Sequence, residues 1–76
     1  PTLSRGSFGR AVRELQRILT STSRKEDQKQ FNPIGIDGDF GENTEKAVIA
    51  FQKNRGLSNT GIVNDDTWEA LIQSNK

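Results

Sequence analysis

Cysteine and histidine are both missing from the 76 residues of this chain, and the two absences remove whole classes of stabilisation and chemistry. Without cysteine there are no disulfides. Without either residue the usual ligands of zinc, haem and iron–sulfur clusters are gone, so no metal and no cofactor is expected. A strong excess of charge is missing too: 11 basic residues stand against 10 acidic ones, a net +1. That balance does not mark a nucleic-acid or polyanion binder. No apolar run comes near the roughly 20 residues that span a bilayer, so no membrane insertion is expected. No signal-peptide pattern opens the chain, whose first residues, Pro1 and Thr2, read as those of a processed product or an excised module. The lack of cysteine leaves the compartment open. One domain covering 1–76 is expected, near the lower size limit for a core without staples. Apolar packing and well-capped helices have to hold it.

What is present is periodic. Phe8, Ala11, Val12, Leu15, Ile18 and Leu19 recur at spacings of three and four, which predicts a helix over about 8–20 with Ser7 as its N-cap. The stretch 21–36 is mostly polar and aperiodic. It reads as a solvent loop, long for so small a domain, with room for one short helical turn around 25–30. A second helix is predicted over about 42–55. Glu42 and Glu45 sit in its first turn, where acids favour the positive end of the dipole. Thr44, Ala47, Val48 and Phe51 form its inner stripe, and Gly56 is its left-handed stop, with Leu57 folding back on Phe51. A third helix over about 65–74 is capped by Asn64, carries Asp65 and Asp66 in its first turn, and turns Trp68, Leu71 and Ile72 inward.

The stretch GIDGDFGENTEKAVIAFQ (35–52) returns in weaker form as NTGIVNDDTWEALIQ (59–73). With Asp37 laid on Thr60, 23 positions on, Gly38 meets Gly61, Phe40 meets Val63 and Thr44 meets Thr67. Ala47 then meets Ala70, and Val48 meets Leu71. A short helix cannot bury its stripe alone and must be docked at a set angle. In each copy a glycine permits a bend, Phe40 or Val63 plugs the core, Gly41 or Asn64 opens the helix, and a threonine tucks beneath it. The expected fold is all-α: a compact three-helix bundle with two equivalent glycine turn–helix units.

Several residues bear on chemistry. Asp37, Asp39, Glu42 and Glu45 cluster, and paired carboxylates do acid–base work. A general base also needs a desolvating cleft, for which this chain has little material. Turn-building and helix-start roles fit better, so the domain is read as non-catalytic. A calcium loop starting at Asp37 fails where ligation is decided, since Glu42 and Val48 stand where a glycine and a bidentate glutamate belong. Arg10, Arg13 and Arg17 share one helix face, either a solvated face partly paired through Glu14 or a strip that attracts anions. Gln16 and Gln52 follow core residues at equivalent places. They read as amides that satisfy groups left open by the glycine turns, with a ligand-facing role as the alternative. Trp68, the sole tryptophan, reads as core, with a shallow groove beside its ring as the alternative.

Three pieces of sequence together resemble a known family. Arg5, Gly6 and Ser7 followed by Ala11, Val12, Leu15, Gln16 and Leu19 resemble the opening of the peptidoglycan-binding domain, a three-helix wall-binding module. Asp37-Gly38-x-Phe40-Gly41-x-x-Thr44-x-x-Ala47-Val48-x-x-Phe51-Gln52 is similar to its central signature. Gly56 and Leu57, then Gly61-Ile62-Val63-x-x-x-Thr67-Trp68-x-Ala70-Leu71, are similar to its closing one. Two features depart from the pattern: 21–32 is longer than the usual link, and Thr60 and Asn64 replace an Asp and a Gly. A related module in the pro-region of matrix metalloproteinases is disfavoured, because no cysteine is present to bind an inhibitory zinc.

The resemblance implies a non-catalytic module that tethers a cell-wall enzyme or envelope protein to peptidoglycan, by stem peptide or glycan. It implies fusion to a catalytic domain, a monomer, and a periplasmic or extracellular place in the cell envelope. The alternative is a helical protein- or nucleic-acid-interaction domain. Against nucleic acid stand the balanced charge and the acids heading the third helix, which repel phosphates. The inner stripes are committed to the core, so elimination puts the ligand site around the first glycine turn. There the N–H groups after Gly41 would hold a carboxylate, Phe40 would offer an apolar edge and Asp37 would receive an amine. Arg5 and Arg10 would add charge, beside an exposed Asn43.

Overall fold

The computed structural model describes residues 1–76. Three helices, α1 (Arg10–Lys25), α2 (Glu42–Asn54) and α3 (Asp65–Ser74), surround one core, with a 3₁₀ turn at Lys29–Phe31 between the first two. There are no strands, only two isolated antiparallel bridges, Leu3 to Val63 and Phe8 to Asp39. The fold is the expected all-α three-helix bundle. Val12, Leu15, Ile18 and Leu19 of α1 meet Ala47, Val48 and Phe51 of α2 and Leu71 of α3. Leu3, Phe31, Phe40 and Val63 complete this core from the connecting segments.

The first helix differs from its predicted bounds at both ends. It starts after Gly9, whose φ of 115° suits only glycine and which has no side chain to cap the helix. Ser7 is not the N-cap; its hydroxyl accepts the Ser4 N–H at 3.1 Å. Phe8 therefore precedes the helix and stands 78% exposed rather than in the inner stripe. At the other end α1 runs on to Lys25 and buries Thr22 and Ser23. The Thr22 hydroxyl is buried without a hydrogen-bond partner.

The stretch 21–36 is thus not a plain solvent loop. Its Phe31 is fully buried and packs edge-on against Phe51, ring centroids 5.5 Å apart. Burying such a ring contributes about 2–3 kcal/mol, which is why the 3₁₀ turn packs down on both α1 and α2. The Arg55 guanidinium lies 4.6 Å from the Phe51 centroid and 5.8 Å from that of Phe31. It also pairs with Glu26 and bonds the Ser74 hydroxyl, so one side chain ties the C-terminal ends of all three helices.

Both α1 and α2 end in the same way. Beyond α2, Gly56 (φ 71°) returns its N–H to Lys53, and Leu57 returns its own to Gln52 at 2.9 Å. Beyond α1, Asp27 (φ 55°) bonds Arg24 and Gln28 bonds Ser23 at 2.9 Å. Each is a Schellman cap. Ile72, predicted inward, is 52% exposed, because the inward position of α3's last turns belongs to Leu71.

Candidate functional site

The two glycine turns are built on two buried glutamines. Gln16 of α1 accepts the Gly38 N–H at 2.8 Å. Its amide nitrogen donates to the Asp39 carbonyl and the Thr44 hydroxyl, each at 3.0 Å. Gln52 of α2 does the same one turn later: it accepts the Gly61 N–H at 3.0 Å and donates to the Ile62 carbonyl and the Thr67 hydroxyl. Gly38 and Gly61 hold φ near 80°, at 80° and 77°. The amides have the structural role, and each replaces the water that a buried bend would otherwise need. The N-terminal segment then runs across both turns, with Leu3 bonded to Val63, and Gly6, Ser7 and Gly9 bonded to Phe40 and Gly38.

Asp37 stands at the mouth of the first turn. One of its oxygens takes the Asp39 N–H and a proton of the Gln16 amide, each at 3.0 Å. These bonds, the backbone one first, hold its carboxyl below the usual carboxylate range, and the Arg13 charge adds a smaller pull. The carboxylate is exposed and stays ionised at neutral pH. Two shallow cavities open on its two sides and share it as a wall. One, of about 220 Å³, is bounded by the start of α2 (Gly41, Glu42, Asn43) and by Ile34 and Gly35. The other, of about 330 Å³, is bounded by Phe8, Arg10 and Arg13. Gly41, the N-cap of α2, offers no side-chain cap, so the amides of that helix start are left to solvent or a ligand.

The structure thus gathers Arg10, Asp37, Gly41 and Asn43 around one divided cleft. It does not bring in the other two expected residues. Phe40 is 2% exposed and belongs to the core, so it offers no edge. Arg5 is drawn away to Glu45, 3.2 Å distant, and lines neither cavity. The arginine strip also divides, because Arg17 turns to Glu14 while Arg10 and Arg13 line the cleft. Glu42, at the cleft's edge, pairs with Lys46 at 3.2 Å.

Two apolar residues at the cleft escaped the sequence reading. Phe8 is 78% and Ile34 74% exposed, one beside each cavity. Ile34 has φ 57°, a conformation that costs a branched side chain about 1–2 kcal/mol, and the Asn32 carboxamide holds it there by accepting its N–H at 2.8 Å. Such strain concentrates at functional sites. The only signal in the sequence was the Asn-Pro-Ile-Gly run itself, which marks a turn but not the direction of the side chain. Trp68 lies elsewhere, half-buried along a groove between α1 and α3.

A family model described as "Putative peptidoglycan binding domain" matches residues 8–71. The zinc D-Ala-D-Ala carboxypeptidase of Streptomyces albus G is 39% identical over 72 residues, which cover 95% of this chain and 26% of that protein. The uncharacterized protein FadG of Bacillus subtilis (strain 168) is 34% identical, covering 93% of this chain and 15% of its own length. The chain therefore spans about a quarter or less of these relatives. Among solved structures, the SleB N-terminal domain superposes with a TM-score of 0.83 at 30% identity, covering all of this chain and 94% of that one. A peptidoglycan-binding protein from Clostridioides difficile, crystallised with glutamine hydroxamate, gives 0.84 at 34% identity, over all of this chain and 43% of that one.

Proposed function

The chain belongs to the family of putative peptidoglycan-binding domains, and from that membership we propose that it grips the wall by the cleft on either side of Asp37. As a member of that family it is a wall-binding module and not an enzyme. The ligand that suits the cleft carries charges of both signs, as a murein stem peptide does. Carboxylates would meet Arg10, Arg13 and the open amides after Gly41. An amine would meet Asp37, whose second oxygen has no partner within the protein. Phe8 and Ile34 would cover the apolar side chains between them.

The carrying observation is the convergence of a low-lying carboxylate, two arginines and an uncapped helix start on one cleft. Because the stretch is a minor part of longer chains in its relatives, the module is taken to tether a cell-wall enzyme joined to it, as a monomer, in the periplasm or outside the cell. The test is retention on purified sacculi by the double variant Arg10→Glu with Asn43→Arg. Both positions are exposed, so the melting temperature should hold. Retention should weaken about tenfold, the equivalent of ~1.4 kcal/mol. A variant that keeps both its melting temperature and its full retention places the ligand elsewhere.

A further inference from the structure

Helix α3 carries three acids, Asp65, Asp66 and Glu69, and no basic residue. None of the three enters the molecule's ion pairs, which join Arg5 to Glu45, Arg17 to Glu14, Lys46 to Glu42 and Arg55 to Glu26. Asp65 and Glu69 lie one turn apart, a like-charged pair that costs the helix a little stability. Beside it runs a second pair at the same spacing, Trp68, half-buried, and Ile72, exposed. The indole N–H is already donated to the Pro1 carbonyl, so what the ring has left to offer is its apolar face. The two rows form one wall of the molecule's largest concavity, a groove of about 840 Å³ that Ala11 and Glu14 of α1 close on the other side. The selecting groups thus stand on the helices rather than on the end residues, Pro1 and Lys76, that border the groove.

Each class of occupant meets these rows differently. Anionic partners are repelled by Glu14, Asp65 and Glu69. A wholly apolar one would strip water from the acids and return no hydrogen bond. A bare metal ion has no site, since no three acids in the molecule come close enough to hold one. An uncharged ring would cover the indole but leave the like charges of Asp65 and Glu69 opposed. A segment that sets Lys or Arg beside apolar side chains answers both rows. Its cations neutralise the acids and lie against the indole face, and its apolar groups cover Ile72 and Ala11. The one-turn spacing of both rows matches a helix, which lays its own i, i+4 pairs along a groove. We propose that the groove between α1 and α3 docks a basic amphipathic helix of a partner protein. This surface is separate from the Asp37 cleft. Arg10 and Arg13 line the cleft, and Ala11 and Glu14 the groove. Helix α1, a ridge about 10 Å across, therefore keeps a docked protein clear of a ligand in the cleft.

The probe is a synthetic helix of Lys and Leu, about 14 residues and ~21 Å long, with its lysines on one face, titrated into the protein. Trp68 is the only tryptophan, so its fluorescence reports on the groove, and amide shift mapping locates the contact. The expected result is a saturating Trp68 response that weakens with salt, with shifts centred on Glu14, Trp68, Glu69 and Ile72. The same peptide with Glu for Lys should leave Trp68 unmoved, and so should one with Ser for Leu. Glu69→Lys is the sharper variant, because the position is exposed and the change relieves the like-charged pair. It should hold or raise the melting temperature while weakening the response about tenfold. Ile72→Ser, also at an exposed position, should weaken the response at an unchanged melting temperature, which separates docking from attraction by charge alone. The proposal is overturned if the Lys–Leu helix leaves Trp68 still at millimolar concentration, if either control peptide works as well, or if either variant binds like the parent. A Trp68 signal that changes on diluting the protein alone gives the groove to a second copy and overturns it too. Retention on sacculi plays no part in these readouts, so the wall-binding reading and this one fail separately.

Discussion

Asp37 and Thr60 occupy the same place in the two glycine turns, and each takes the N–H of the residue two positions on, Asp39 or Ile62. Past that point the turns diverge. At the second, Asn64 caps α3 by accepting the Thr67 N–H at 3.0 Å. A side chain added at Gly61 would come within 3.1 Å of Glu45, and one added at its counterpart Gly38 within 3.4 Å of the Gly9 carbonyl, so both bends are packed. At the first, Gly41 caps nothing, and a side chain built on it meets no atom within 4 Å. The second turn has its helix start closed by one of its own residues. The other has the same skeleton and leaves its amides, its carboxylate and its neighbouring space unfilled. A duplicated device that is finished in one copy and open in the other is the contrast on which the proposed Asp37 site rests.

The largest effect should come from removing what the turns share. Gln16→Ala and Gln52→Ala each strand a buried glycine N–H and a buried threonine hydroxyl. Each should cost about 3 kcal/mol, a large fraction of what holds so small a domain together. Urea unfolding of the two variants measures this, and the losses should agree within about 1 kcal/mol. If one variant is nearly as stable as the parent, the turns are not equivalent and the contrast drawn between them loses its basis.

How much of this was legible in the sequence follows the same division. The repeat and its threonines could be read because each sits at a fixed offset from a glycine, and the glutamines because each follows a core residue at an equivalent place on its helix and a buried bend leaves few ways to satisfy its amides. Gly56 was legible for the same reason, whereas its counterpart Asp27 was not, since an aspartate at positive φ carries no comparable signature. The core role of Phe31 was hidden by its polar, aperiodic surroundings. A single aromatic has no period, and only the tertiary fold shows that Phe51 lies beneath it. Phe8 misled because it falls in register with Val12 and Leu15, yet Gly9 breaks the backbone between them. At the site the shared neighbourhood of Arg10, Asp37, Gly41 and Asn43 was legible. The directions of Phe40, Arg5 and Ile34 were not, because they depend on backbone angles that spacing does not encode.

A medium effect comes from exchanging the caps. Asn64→Ala removes a side-chain cap and should lower stability by about 1 kcal/mol. Gly41→Asn should do the reverse at the open turn, since space is free there and φ is −105°. The gain should be only a few tenths of a kcal/mol, because glycine is itself a tolerable cap. The informative readout is retention on sacculi: an asparagine oxygen that occupies the α2 amides competes with any wall carboxylate, so the more stable variant should bind more weakly. Gly41→Asn with undiminished retention would show that those amides play no part.

The smallest effect concerns the carboxylate itself. Asp37 is held below its ordinary value of 3.8, first by the Asp39 N–H, then by the Gln16 amide. A depressed value means that the fold favours the ionised form. Its contribution is complete above pH 3.8 and is lost as pH falls through the lower, folded value. Asp37→Asn keeps an oxygen to accept both bonds but has nothing to titrate. Between neutral pH and about pH 2, well below the ordinary Asp value, the parent should therefore lose slightly more stability than this variant. At neutral pH the two should unfold at nearly the same urea concentration. Retention on sacculi should part them there, since a neutral amide cannot hold an ammonium as a carboxylate does. Superimposable acid profiles would show that the fold does not hold this charge. Equal retention at neutral pH would mean that no amine of the wall reaches Asp37, and the open turn would then be gripping its ligand by the arginines and helix amides alone.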